Sequence, residues 1–200
     1  MTAQFSDGFS YKGKEFSIAG INGEGLFNPV PHGFIPKSTC TACWKGFVAG
    51  YAVNAGHLVL DTLDINLEDF PRRGLFSRRP PRLNGRYPSS VDDGVGTFFD
   101  YHFEDVGLQL PFSGGILIGD GFIQELYVHM GYHPAWKYEE VYELLFDNGR
   151  LSTENNVSEK MKEFRLRMKD AADTQNPGDH DFENTVYEWV KKCFSLDYNL

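Results

Sequence analysis

Cysteine is scarce in this chain, with three in 200 residues. So few, and an odd number, exclude a disulfide-stapled scaffold and point to reduced thiols in a cytoplasmic protein. Long apolar runs are also missing. No stretch approaches the roughly 20 residues that a membrane-spanning helix needs. The opening "MTAQFSDGFSYKGKEF" has no apolar core of the kind a secretory signal carries. Basic charge is short: 19 Lys and Arg stand against 28 Asp and Glu, for a net charge of −9. That balance argues against general nucleic-acid binding and against anionic membranes. Internal repeats, low-complexity tracts and a complete catalytic signature are absent too.

Aromatic residues are plentiful, at 15% of the chain, with 17 Phe and 10 Tyr. They favour strands and supply large buried or ligand-facing surfaces. A chain of this length buries a sizeable core without cross-links or metal. Residues 1–200 therefore read as a single domain, β-rich over 1–154 and helical over 155–200. "FSYKGKEFSIAGI" reads as a hairpin about a Lys-Gly turn. "WKGFVAGYAV" and "HLVLDTLDINL" flank Asn54-Ala55-Gly56 and read as the clearest hairpin. "VYELLFDNGRL" makes a third, turning at Asp147-Asn148-Gly149. "TFFDYHF" and "SGGILIG" read as further strands. Residues 120–130 fit a short helix capped by Asp120, with strand as the alternative. Beyond Asn155 the period turns helical: Val157, Met161, Phe164 and Met168 share one face, with Ser158 as N-cap. "TQNPGD" breaks that helix, and Phe182, Val186, Trp189, Val190 and Cys193 line a second. The expected fold is α+β: a largely antiparallel, curved or sandwich-like β-sheet with C-terminal amphipathic helices.

The densest run of functional side chains is "YVHMGYHPAW", residues 127–136. Gly131 permits a sharp change of direction, and Pro134 restricts His133 to extended backbone. A helix carrying both His129 and His133 on one face is therefore disfavoured. On an extended strand the two imidazoles lie about 13 Å apart, too far to share a metal. The segment reads as a rigid aromatic turn lining a pocket or recognition surface. Tyr127, His129, His133 and Trp136 are its candidate ligand-binding residues. Asp120, between glycines, and Trp44, directly after a CxxC, join them as candidates.

The CxxC is Cys40-Thr41-Ala42-Cys43. A zinc site wants four ligands, and a redox pair wants its first cysteine at a helix N-terminus. Here the following residues read as strand. "GGILIGDG" is neither a P-loop nor a dinucleotide fingerprint, and its glycines suit tight turns or close backbone approach. Residues 70–96 form a long Arg/Pro/Gly connection. Arg72, Arg73, Arg78, Arg79, Arg82 and Arg86 lie there with no carboxylate between Phe70 and Val91. Such a loop can clamp a phosphate, a carboxylate or an acidic partner.

"YKGKEFSIAGINGEGLFNP", "STCTACWKGF", "PFSGGILIGDGFIQELYVHMGYHPAW" and "EVYELLFDNGRL" together resemble a group of functionally unassigned bacterial proteins. The likeness runs from about Tyr11 to about Leu151. It implies a bacterial, cytoplasmic protein and supplies no catalytic residues. The leading functional expectation is a non-catalytic binding or interaction protein, for a small ligand or as an immunity-like partner of a basic protein. The alternative is an enzyme using His129, His133, Asp120 and Cys43 in an aromatic pocket. A metal protein is the third reading. The scattered ligands close no four-ligand site, so neither metal nor cofactor is expected.

Overall fold

The computed structural model describes residues 2–68, 80–90 and 98–174. Ten strands form one sheet: β1 (Gly8–Tyr11), β2 (Lys14–Asn22), β3 (Phe47–Asn54), β4 (His57–Ile65), β5 (Ser89–Ser90), β6 (Tyr101–Phe103), β7 (Leu108–Gln109), β8 (Gly114–Phe122), β9 (Tyr138–Asp147) and β10 (Arg150–Asn156). Their order is β10-β9-β8-β2-β1-β3-β4-β6-β5, with β7 against β4. The pairing is antiparallel throughout except between β1 and β3. β10 also meets β4 at Arg150 and His57, so the sheet curls into a ring. Of the two shapes expected, curved and sandwich-like, the strands take the curved one.

The three anticipated hairpins are present. Each turns on two residues with left-handed φ: Lys12 (52°) and Gly13 (75°), Ala55 (49°) and Gly56 (80°), Asn148 (46°) and Gly149 (79°). Left-handed backbone at both turn residues matches the twist of the flanking strands. Side-chain alternation then divides the sheet. Phe9, Tyr11, Phe16, Ile18, Phe47, Tyr51, Leu63, Ile65, Ile116, Ile118 and Leu144 point inward and fill the ring. A second, smaller cluster lies on the outer face, where α1 (Ser158–Thr174) packs Val157 and Met161 against Ala19, Leu117 and Val141.

Residues 120–130 are not a helix. β8 continues to Phe122, and a single 3-10 turn, Gln124–Leu126, precedes the aromatic segment. The apolar stripe of Phe122 and Ile123 yields to a ladder with β9 that runs from Gly114↔Phe146 to Phe122↔Tyr138. The cap of α1 also differs from expectation. Asn156 Oδ1 accepts the N–H of Ser158 at 3.0 Å, while the Ser158 hydroxyl instead accepts the N–H of Val141 at 3.0 Å. Among the described residues of "TFFDYHF", Tyr101–Phe103 are strand. The second C-terminal helix, Cys193, and Arg72, Arg73, Arg78 and Arg79 lie outside the described residues. Among the described residues no helix is long and apolar enough to cross a membrane.

Candidate functional site

On the outer face, one row of paired positions crosses five strands. Gly119 of β8 pairs with Ser17 of β2, Ser17 with Gly8 of β1, Gly8 with Gly50 of β3, and Gly50 with Thr62 of β4. None carries a side chain larger than threonine, so the sheet presents a shallow floor. Two glycines are required by close approach. A Cβ on Gly119 would lie 2.6 Å from the Tyr138 ring, and one on Gly50 would collide with the Thr62 hydroxyl. Tyr138 therefore lies flat over Gly119. Burial raises the pKa of its phenol, and shared hydrogen bonds with Ser17 and Ser6 partly offset the shift.

The aromatic turn stands over this floor. Residues 2–5 run beside it and tie it down: Ala3 bridges Gly131, and the N–H of Gln4 donates to Gly131 O at 2.8 Å. On their other side the same residues grip the CxxC turn, through Phe5 N–H to Ala42 O at 2.9 Å and Trp44 N–H to Gln4 Oε1 at 3.2 Å. Two cavities open against the turn, the larger of them reaching the floor at Ser17. The larger, about 610 Å³, is walled by Phe5, Phe99, Phe122, Tyr127, His133 and Tyr138, with Asp64, Ser6, Ser17, Gln4 and Gln124 as its polar lining. The smaller, about 450 Å³, lies between Tyr132, His133 and Pro134 and the β2 bulge at Ala19 and Gly20. Its polar end is the Asp7–Lys45 ion pair at 2.5 Å. Asp7 Oδ1 also accepts the Ala49 N–H at 2.9 Å.

His133 is the wall common to both cavities. Its ring sits 4.7 Å from Phe122 and 5.3 Å from Tyr127, centroid to centroid. Burial, and then the Lys137 ammonium nearby, hold its pKa below the usual imidazole value. The neutral ring therefore prevails near neutral pH. Its Nδ1 is buried and has no hydrogen-bond partner among the described residues. Buried polar atoms are almost always satisfied, so this one marks a place where a further group fits.

The remaining candidates divide. Tyr127 lines the larger cavity, and its hydroxyl is hydrogen-bonded to His129 Nδ1 at 2.8 Å on the exposed rim. Trp44 is exposed on the CxxC turn. Trp136 is scaffold: its ring packs 5.8 Å from Phe164 of α1, and its carbonyl accepts from Arg165. Lys137 beside it is buried, with its ammonium 5.3 Å over the Trp136 ring. Asp120 does not join the site. It follows Gly119 by one residue and so belongs to the opposite face, where Lys14 bridges it to Glu140. Lys14 and the Gly121 N–H hold its carboxyl below the ordinary range. Arg82 stacks over Tyr87 at 4.1 Å, and Arg86 donates to Asp105 O at 3.0 Å.

Cys40 and Cys43 are free thiols. The Cys43 thiol donates to Phe47 O at 3.2 Å, and burial pushes its pKa up. Burial thus favours the protonated thiol over the thiolate. Among the described residues no three of His, Cys, Asp and Glu converge as metal ligands.

Sequence reasoning missed Asp7, Lys45, Ser6, Ser17, Tyr138 and the Asp64–His102–Glu104 chain. In that chain His102 Nδ1 lies 2.6 Å from Asp64 Oδ1, and Nε2 lies 3.1 Å from Glu104 Oε1. The one signal that pointed this way was glycine inside strands, which marks close approach. Comparison with protein-family models, curated proteins and solved structures finds no match. The resemblance of the strings around Cys43 and Tyr127 therefore stands on the sequence alone.

Proposed function

We propose that this protein binds a small organic molecule, without catalysing a reaction, in the outer-face cavities against the aromatic turn. The observation that carries this reading is His133: a neutral imidazole held between two rings, shared by both cavities, with a buried Nδ1 that has no partner among the described residues. A ligand hydrogen bond completes it. The cavity sizes suit small-molecule sites, which are mostly apolar with a few convergent polar groups.

The test is ligand-observed NMR with neutral, cationic and anionic aromatic fragments, run on the native protein and on Gly8→Leu. A side chain at Gly8 meets nothing within 4 Å and its backbone is unstrained, so leucine there projects from the outer face beside its strand partner Ser17, which lines the larger cavity, without straining the strand. Fragments that bind the native protein and are lost from Gly8→Leu are the expected result. Undiminished binding by the variant, or none by the native protein, overturns the reading.

A protein partner is the second reading. Trp44, Val128, Met130 and Tyr132 are exposed on two turns that residues 2–5 join into one surface. Apolar clusters of this kind mark interaction sites.

A further inference from the structure

Resting on that small-molecule reading, we propose that the ligand of the larger cavity is an organic cation, a protonated amine or quaternary ammonium on an apolar group of ring size, with Asp64 as its counter-charge.

The charge of the lining points this way. Among the described lining residues Asp64 is the one carboxylate, and there is neither Lys nor Arg. Its Oδ1 is engaged by His102, while Oδ2 has no partner among the described residues. His102 sits between Asp64 and Glu104, two acceptors and one ring. Even with a proton on each ring nitrogen the trio keeps a net negative charge. His133, which also lines the cavity, is neutral and does not oppose a cation. The Lys45 ammonium belongs to the smaller cavity and is neutralised there by Asp7.

The walls point the same way. Phe5, Phe99, Phe122, Tyr127 and Tyr138 line the larger cavity. Aromatic faces carry negative quadrupole density and attract cations, while a carboxylate opposite them adds a direct ion pair. An anion entering here would meet Asp64 and aromatic rings, with no cationic side chain among the described lining residues to hold it. The overall charge of −9 also raises the local concentration of cations. The hydroxyl of Ser6 and the amide of Gln124 supply neutral hydrogen-bonding groups that orient the ligand without changing its charge class.

Three probes of nearly equal shape separate charge from fit: phenethylamine, phenethyl alcohol and hydrocinnamate, titrated calorimetrically into the full chain. Phenethylamine is expected to bind about tenfold tighter than the alcohol, the size of one partly desolvated cation contact, and hydrocinnamate weakest. Asp64→Asn should bring the amine to the affinity of the alcohol while the alcohol is unchanged. Phe122→Leu, which leaves the Asp64–His102 pair intact, should weaken the amine more than the alcohol. Equal or tighter binding of the alcohol or of hydrocinnamate, blocked by Gly8→Leu, overturns the cation assignment and leaves the binding site standing. Binding of none of the three, when a fragment of another shape is displaced by Gly8→Leu, has the same meaning. Absence of all binding overturns both.

Discussion

His133 joins sequence, packing and pH response in one side chain. Pro134 after it restricts its backbone to extended geometry, which directs the ring between Phe122 and Tyr127. Burial, and secondly Lys137, place its folded-state pKa below the ordinary 6.5. The unfolded chain therefore takes up the proton first as pH falls. The stability contributed by the neutral ring is complete above the unfolded pKa and is lost as pH drops through it towards the lower folded value. Urea midpoints measured from about pH 7 to about pH 5 should fall in the native protein, and fall less steeply in His133→Gln. Equal slopes would show that the ring is solvated in the folded state.

At the scale of elements, the glycines of the outer row have opposite roles in neighbouring strands. Gly119 in β8 exists to let Tyr138 of β9 lie over it. A Cβ on Gly8 in β1 would meet nothing within 4 Å. Gly119→Ala should cost about 1–3 kcal/mol, as overpacking against a ring that cannot retreat does. Gly8→Ala should change stability by no more than about 0.5 kcal/mol. Chemical denaturation of the two variants side by side makes the comparison, and a matching cost at both would mean that Tyr138 does not hold this position. The same alternation explains why Asp120 left the candidate site. One step along β8 separates the outer-face Gly119 from the inner-face Asp120, and a strand reverses faces at every residue. The helix reading of 120–130 had concealed that reversal. At α1, the anticipated apolar face of Val157, Met161 and Phe164 is buried as read. The cap moved to Asn156 because β9 claimed the Ser158 hydroxyl, a competition between two elements that helix signals alone do not display.

For the molecule as a whole, the consequential feature is where the curled sheet closes. The β3–β4 and β9–β10 turns meet there: Leu58 N–H donates to Gly149 O at 2.7 Å, and Leu151 N–H to Gly56 O at 2.9 Å. Gly149 must be glycine, because its φ is 79° and a Cβ would press against Leu110 O. Native-state hydrogen exchange should protect the amides of Leu58 and Leu151 as strongly as interior amides of β3 and β4. Exchange at the rate of an open turn would show that the ring is parted in solution. Closure also explains how one sheet supports two packed layers, with the aromatic-rich core inside and α1 with the aromatic turn outside.

The sequence by itself determined the three hairpins, because left-handed turn residues and flanking β-formers are local chemistry. It also determined the amphipathic face of α1 and the break at Gly131 and Pro134. The reading of residues 127–136 as a turn followed from backbone restrictions that no distant contact reverses. Tertiary structure alone decided the rest. The floor of the site is assembled from Gly119, Ser17, Gly8, Gly50 and Thr62, positions as much as 111 residues apart, and strand order is set by global closure rather than by any neighbouring residue. Asp64 and His102 became partners through the pairing of β4 with β6, and Asp7 met Lys45 through the parallel pairing of β1 with β3. Register settles which carboxylate faces a cavity and which faces an ion pair, since a shift of one residue turns every side chain of a strand to the other side.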